Sequence, residues 1–244
     1  MITLQDLDGN AKLYKCLLKN IKSKVSIFKR RSIKEISQKD AASCEVIFIS
    51  DDVEIENMEF LQFFPGLKSL QMDCVKGVIN FDGLRYCNLQ EVCLFDVIPE
   101  NFSVFGKCTS LKTLSCVHGE DVTGRWDGRE CKDVSFVKQL PELECLELSG
   151  IEGDISPVLQ CYNLQKLDVS YTAIDSVEQF KVLPKLRELT ARGCGLKGII
   201  DFSGFPQLKE VELMDNEFTY EQQKEMKQRY PNINMIFENR SSIY

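Results

Sequence analysis

The sequence predicts an α/β fold in which a short β-strand and a short helical turn alternate along a stack of similar units. Three observations predict it. Leucine-like residues recur at a nearly constant spacing from Cys44 onward. Pairs of apolar residues three or four positions apart recur in the second half of each unit. The segments at the two ends, residues 1–43 and the stretch after Leu208, depart from this pattern.

The repeat is clearest in residues 164–174 and 186–196, which begin two successive copies of one unit. Both fit L-x-x-L-x-L-x-x-N/C/T-x-L, with Ala191 in place of the third apolar residue. Side chains in a strand alternate between its two faces, so the apolar residues of this stretch are expected to point inward. The first apolar position of the unit falls at Cys44, Leu67, Leu89, Leu111, Leu143, Leu164, Leu186 and Leu208.

The second half of the unit predicts a turn or two of helix packed on the inner side of the strand. Residues three or four apart lie on one face of such a turn. Units of this length leave no room for a longer helix. The recurring pairs are Phe81 and Leu84, Phe102 and Phe105, Phe136 and Leu140, Val177 and Phe180, and Phe202 and Phe205.

This pattern and period resemble those of the leucine-rich repeat superfamily, with about eight repeats of roughly 22 residues. The resemblance implies a right-handed solenoid, or horseshoe, with a parallel sheet on the concave face and short helices and turns on the convex face. In that family the ninth position of the repeat usually holds Asn, Thr or Cys, whose side chain hydrogen-bonds loop backbone. Here Thr172, Cys194 and Asn216 occupy it.

The ends of the chain are expected to cover the open apolar edges of the stack. Residues 1–43 predict a helical cap, in which Asn10 caps a first helix and Ser32-Ile-Lys-Glu35 forms a capping box for a second. The solenoid itself is assigned to residues 44–237. A C-terminal capping helix is expected at about 219–230, before a last strand near Met235. Residues 238–244 form a tail.

One step of the repeat is ten residues longer than the others, and the excess lies at about 117–131. This glycine-rich stretch holds His118 and Trp126, the single histidine and the single tryptophan of the chain. It is expected to leave the solenoid as a loop. Trp126, with Arg125 and Arg129, either forms a partner-binding tip or folds back to pin the loop.

Composition indicates a cytoplasmic protein without a cofactor. The eleven cysteines form no C-x-x-C pair, and the beginning of the chain has no signal-peptide pattern, so reduced thiols are expected. No phosphate-binding, metal-protease or hydrolase motif is present in the sequence. Residues 1–43 carry ten Lys/Arg against four Asp/Glu, whereas the remaining residues carry 20 against 33. The acidic body is expected to repel nucleic acid.

The outward positions of the predicted strands carry an acidic excess, and they predict a non-catalytic module that binds a protein with a basic face through the acidic concave surface. An immunity-type inhibitor of a toxin and a pathogen effector acting on host proteins are the alternatives. No enzymatic role, membrane contact or small-molecule substrate is expected, and the free protein is expected to be a monomer. Reversing Asp168 and Glu188 to lysine is expected to weaken binding and to leave the melting temperature nearly unchanged. The predicted partner-binding residues are Asp73, Glu91, Phe95, Trp126, Glu147, Asp168, Glu188, Arg192, Glu210 and Glu212.

Overall fold

The computed structural model describes residues 1–23, 34–50, 53–117 and 131–238. The chain forms two compact units, Met1–Gly119 and Glu120–Tyr244. Predictions that concern Trp126, the other residues of 118–130, residues 24–33 or the tail after Glu238 lie outside the described ranges.

Within its described residues, the first unit contains two α-helices and a parallel sheet. The helices are α1 (Ala11–Ser23) and α2 (Gln38–Ala42). The strands are β1 (Val46–Ile49), β2 (Ser69–Asp73), β3 (Val78–Ile79), β4 (Glu91–Phe95), β5 (Ile98–Pro99) and β6 (Thr113–Val117). Strands β1, β2, β4 and β6 pair in this order, all parallel, and β3 pairs separately with β5.

The second unit repeats the arrangement and ends in a longer helix. Its strands are β7 (Cys145–Leu148), β8 (Lys166–Asp168), β9 (Glu188–Thr190), β10 (Glu210–Glu212) and β11 (Asn234–Ile236), and they pair in parallel in sequence order. Helix α3 (Tyr220–Arg229) lies between β10 and β11 in the chain. A capping box begins it, since the Thr219 and Gln222 side chains each accept a hydrogen bond from the other's backbone N–H.

The predicted inward residues form the core of each unit. Every first, fourth and sixth apolar position of the repeat is buried, including Ala191, the smallest of them. The turns in the second half of most repeats are 3₁₀ helices. A 3₁₀ helix typically occurs as a short segment, and the repeat leaves no room for a longer α-helix. These turns are Glu59–Phe63, Asp82–Tyr86, Phe102–Lys107, Ser135–Gln139, Ser156–Gln160 and Val177–Val182. The predicted alternation of strand and short helical turn is confirmed.

A short polar side chain begins each of these six turns and also the turn that follows Asp201, and these residues were not predicted. In each case its oxygen accepts a hydrogen bond from the backbone N–H two residues later, which fixes the turn where the chain leaves the extended segment. The residues are Asn57, Asn80, Asn101, Asp133, Asp154, Ser176 and Asp201.

The residues at the ninth position of the repeat bind loop backbone, as the resemblance implies. The Thr172 hydroxyl accepts from the Ile151 N–H at 3.0 Å. The Cys194 thiol contacts the Val169 carbonyl at 3.3 Å. Asn216 makes five such bonds. These side chains satisfy buried backbone groups between neighbouring repeats, which the sheet leaves unpaired.

The first helix is confirmed, whereas Ser32 and Ile33 of the predicted second capping box lie outside the described residues. Asn10 accepts from the Leu13 N–H at 2.9 Å at the start of α1, whose Leu13, Leu17 and Ile21 are buried. Glu35, however, is not helical. Helix α2 begins at Gln38 instead, because Ser37 accepts from the Asp40 N–H at 3.0 Å and caps it there.

Asn20 closes the outer edge of the first unit's sheet. An edge strand presents unpaired N–H and C=O groups. The Asn20 side chain pairs with both backbone groups of Phe48 on β1. It donates to the Phe48 carbonyl at 2.8 Å and accepts from the Phe48 N–H at 2.8 Å. Helix α1 therefore continues the hydrogen-bonding pattern of the sheet through a single amide.

Replacing Asn20 by alanine should lower the free energy of unfolding by about 1–2 kcal/mol. The Phe48 N–H loses its side-chain partner, whereas the Phe48 carbonyl keeps the Cys16 thiol at 3.2 Å. The better helix propensity of alanine offsets about 0.5 kcal/mol of the loss. Lys19→Ala, an exposed change on the same helix, is the matched control and should lie within about 0.5 kcal/mol of the parent. Urea denaturation measures both. Equal stability of the two variants would show that the edge contact contributes nothing.

The C-terminal helix is joined to the preceding turn by a charged hydrogen bond. The Tyr230 hydroxyl donates to Asp201 Oδ1 at 2.6 Å, and the Ser203 N–H donates to the same carboxyl at 2.9 Å. These bonds, that of Tyr230 first, lower the pKa of Asp201 to about 2. A lowered folded pKa contributes stability that is present above the unfolded pKa and is lost as the pH falls through the folded value.

The stability contributed by Asp201 should therefore disappear between about pH 4 and pH 2. In the Tyr230→Phe variant the pKa of Asp201 should rise toward its ordinary value, because its largest stabilising hydrogen bond is gone. Carboxyl NMR titration measures the pKa directly. Asp154, whose bonds to Ser156 remain intact in both proteins, is the internal control. An Asp201 pKa that does not move on removal of the tyrosine hydroxyl would refute this role of Tyr230.

Candidate functional site

The outward side chains of β8, β9 and β10, with their neighbours on β7 and after β9, form a surface that we call the second-unit strand face. It consists of Glu147, Lys166, Asp168, Glu188, Thr190, Arg192, Glu210 and Glu212. The alternation of the strands produces it, because the residues between them, such as Leu167 and Leu189, are buried in the core. Five of its eight residues are acidic, which gives it a net negative charge.

Strand register places these residues in two rows. Lys166, Glu188 and Glu210 are direct partners on β8, β9 and β10. Asp168, Thr190 and Glu212 are partners in the next row, where Glu147 adjoins Asp168. Neighbouring strands are about 4.8 Å apart, so carboxylates that are 20 or more residues apart in sequence lie within one or two strand spacings of each other.

Both basic residues of the face are paired with carboxylates. Lys166 Nζ lies 2.7 Å from Glu147 Oε1. Arg192 lies 3.7 Å from Glu212 Oε1 through Nε, and 3.1 Å from Asp215 Oδ2 through Nη2. Both cations are therefore engaged in ion pairs, and Lys166 also acts at longer range on its neighbours Asp168 and Glu188. Two cations against five carboxylates leave the face with a net negative charge.

Three carboxylates of the face have no cationic partner among the described residues. Asp168 accepts from the Ser170 N–H at 2.8 Å and from its hydroxyl at 2.6 Å. Glu210 accepts from Asn234 Nδ2 at 2.8 Å. Glu188 is exposed and makes no hydrogen bond or ion pair within the described part of the chain. These three acids lie on three consecutive strands.

Burial and mutual repulsion raise two pKa values on the face. Burial is the main cause for Asp168, and the nearby Glu147 carboxylate adds to it, whereas the hydrogen bonds from Ser170 oppose it. Burial also raises the pKa of Glu212, against the effect of Arg192. A cation placed over this face would lower both pKa values, since it would favour the charged form of each carboxyl.

The first unit carries a different strand face. Asp73, Glu91 and Phe95 are on β2 and β4, with Asp73 directly opposite Phe95 in the register. The Ser69 hydroxyl donates to Glu91 Oε2 at 2.6 Å. The structure thus brings together the predicted residues of each unit within that unit, while Trp126 lies outside the described residues.

Burial changes the expected role of some outward positions. The outward-facing serines Ser69, Ser115, Ser149 and Ser170 are buried. Asp168 is held by Ser170, so we correct the expectation that its reversal would leave stability unchanged. Phe48, an exposed residue at the outward position of β1, was not among the predicted residues. The alternation of β1 would have identified it.

Comparison with known proteins shows similarity in structure and none in sequence family. No protein-family model and no curated protein sequence matches the chain. Internalin C2 of Listeria monocytogenes is similar in structure, with a TM-score of 0.61 and 23% sequence identity over 86% of each chain. Another internalin of that organism, inlF, has a TM-score of 0.61 and 15% identity; the match covers 95% of this chain and 63% of that one. This chain has a leucine-rich repeat fold.

A leucine-rich repeat protein of Leptospira interrogans also matches, over 73% of this chain and 57% of that one, with 16% identity and a TM-score of 0.46. The predicted α/β leucine-rich repeat fold is confirmed. Within the described parts of this leucine-rich repeat protein, no helix is long and apolar enough to cross a membrane. In the same ranges, no group of three or more His, Cys, Asp or Glu side chains is arranged to hold a metal ion.

Proposed function

We propose that this leucine-rich repeat protein binds a protein partner with a basic surface, and that the second-unit strand face is the contact surface. The observation that carries the proposal is the set of Asp168, Glu188 and Glu210 on three consecutive strands, without a cationic partner among the described residues. Stability of the repeat comes from inward positions, so outward positions are free to be selected for a ligand.

The electrostatics of the face favour such a ligand. Burial is the main cause of the raised pKa values of Asp168 and Glu212, and repulsion from neighbouring carboxylates adds to it. Lysine or arginine side chains of a partner would relieve this repulsion. Complementary charge also raises the rate of encounter and disfavours acidic partners, including nucleic acid. Binding should release protons at mildly acidic pH.

The cysteines support binding without catalysis. A nucleophilic cysteine needs a thiolate, which a basic neighbour or a helix N-terminus stabilises. Cys145, at the edge of the face, has the opposite surroundings: burial, and then the Glu147 carboxylate, raise its pKa to about 12. Burial likewise raises the pKa of Cys194 to about 11. Both thiols therefore stay protonated at neutral pH.

An inhibitor of a basic toxin, such as a nuclease, is the more specific form of this proposal. Nuclease surfaces that bind phosphate are basic, and an acidic protein face complements them. An effector that acts on host proteins is the other form. The second-unit strand face supports a basic partner in both cases, and the fold by itself favours neither.

Affinity capture with a matched pair of variants tests the proposal. Glu188→Lys with Glu210→Lys reverses two charges on the strand face. Glu152→Lys with Asp175→Lys makes the same change in net charge at exposed positions outside it. We expect one dominant protein to be captured by the parent and the control, and to be lost with the strand-face variant. A partner retained by the strand-face variant and lost by the control would place binding elsewhere.

A further inference from the structure

A groove on the first unit is bordered by aromatic side chains, unlike the charged second-unit strand face. It lies on the outward side of β1, β2, β4 and β6 and has a volume of about 390 Å³. Phe48 on β1 and Phe95 on β4 border it, and they are 44% and 45% exposed. Two exposed aromatic side chains that border one groove leave apolar area in water, and a ligand that covers this area gains the free energy of its burial.

The register of the sheet accounts for the shape of the groove. Phe48 lies opposite Gln71, Gln71 opposite Cys93, and Cys93 opposite Ser115. The two phenylalanines are on strands that lie two spacings apart, about 10 Å. Gln71, on β2, lies between these two strands, and Cys93 and Ser115 follow it on β4 and β6. Because these side chains are shorter than the phenylalanines, they form the floor of the groove and the aromatic rings form its walls.

Both aromatic walls stand on backbone that hydrogen bonds hold in place. Asn20 binds the N–H and the carbonyl of Phe48. The Phe95 carbonyl accepts from the Cys74 N–H at 2.8 Å. Because the backbone beneath the groove is already fixed, a ligand that enters it orders only side chains, which favours binding.

The charge of the groove indicates which charged group a ligand carries next to its apolar group. Among the described residues that line the groove, Asp73 alone is charged, and it lies directly opposite Phe95. Glu91 adds a second carboxylate on β4, two residues before Cys93. An apolar group that enters the groove therefore meets a negative potential at its side, and a cation next to that group would complement it.

We infer that this groove holds an aromatic or large aliphatic side chain of a protein partner, next to a lysine or arginine that pairs with Asp73. The inference rests on the proposed function in one respect, that the ligand is a protein. The apolar group packs between Phe48 and Phe95, which adds aromatic contact to the burial of apolar area. The groove thereby selects, among basic partners, those with an exposed apolar side chain beside the charge.

Peptide selection tests this inference with a defined probe. The full chain is immobilised and presented with a displayed library of random twelve-residue peptides, and the enriched peptides are synthesised and titrated. We expect them to contain Phe, Trp, Tyr, Leu or Met next to Lys or Arg. Phe48→Ala and Phe95→Ala should each weaken their binding by about tenfold or more, and Asp73→Asn by about threefold with a smaller salt dependence.

Two controls distinguish binding in the groove from binding at another surface of the protein. Val78→Ala, at an exposed apolar residue of the same unit outside the groove, should leave peptide affinity unchanged. Glu188→Lys with Glu210→Lys should also leave it unchanged, so a failure of the proposed acidic contact surface is detected separately. Melting temperatures of the phenylalanine variants should stay near that of the parent, which excludes unfolding as the cause of lost binding.

Three outcomes of the selection would overturn the inference. They are the absence of enriched peptides, the enrichment of acidic peptides, and binding that does not depend on Phe48 and Phe95. Sedimentation of the parent at increasing concentration provides the remaining test. If the parent dimerises and Phe95→Ala restores a monomer, the occupant is a second copy of this chain and the inferred partner is wrong.

Discussion

Replacing Asn216 by alanine is expected to lower the free energy of unfolding by about 3 kcal/mol or more. Its side chain makes five hydrogen bonds to backbone groups, those of Ala191, Leu213, Met214, Cys194 and Leu196. These groups belong to two successive repeats, and alanine leaves all of them without this partner. Each buried backbone group that loses its hydrogen bond costs about 1–3 kcal/mol, and partial access of water reduces the sum.

Urea denaturation of Asn216→Ala and two further variants measures this effect. Asn234→Ala removes one exposed hydrogen bond, to Glu210, and should change stability by less than about 1 kcal/mol. Asn216→Thr should recover part of the loss, because Thr172 fills the equivalent position and binds one N–H there. An alanine variant at position 216 that is no less stable than Asn234→Ala would refute this role of the ninth position.

Reversing Glu188 and Glu210 to lysine should weaken binding of a basic partner by about 2–5 kcal/mol, which is roughly 30-fold to several-thousand-fold in Kd. The effect is large because the change removes two attractive contacts and introduces two repulsive ones. The melting temperature should be almost unchanged, since neither carboxylate accepts a hydrogen bond from the backbone. Asp168 is left intact because its bonds to Ser170 would confound binding with stability.

Titration calorimetry or surface plasmon resonance with the captured partner measures the change. The control Glu152→Lys with Asp175→Lys should alter the affinity by less than about threefold, since these positions contribute only to the long-range field. Raising the salt concentration should weaken the parent complex more than the complex of the strand-face variant. Equal affinities of the parent and the strand-face variant would contradict the assignment of the contact surface.

Much of the fold follows from sequence, because a repeat specifies its core directly. Leu167 and Leu189 occupy the same position in successive units, so one alternating stretch predicts burial for all of its counterparts. Asn10 was predicted as an N-cap for an equally local reason. Helix α2 was not predicted, because its cap depends on the bonds between Ser37 and Asp40, which the spacing of apolar residues does not indicate.

Contacts between repeats were harder to predict, since they depend on side-chain conformation as well as spacing. Register alone brings Glu147 near Lys166, but the 2.7 Å pair forms only in one arrangement of two long side chains. Asn20 binds a residue 28 positions away, across two elements with no shared repeat pattern. The groove between Phe48 and Phe95 likewise depends on how far each ring stands above its neighbours, which no local pattern specifies.

Site-specific photo-crosslinking tests most directly whether the partner lies on the second-unit strand face. A photoreactive phenylalanine derivative is placed at Glu188 or Glu210 on the face, or at Glu152 or Asp175 outside it, and each protein is irradiated with the captured partner. We predict covalent complexes from positions 188 and 210 and none from positions 152 and 175. Crosslinks from positions 152 or 175 alone would contradict the proposed contact surface.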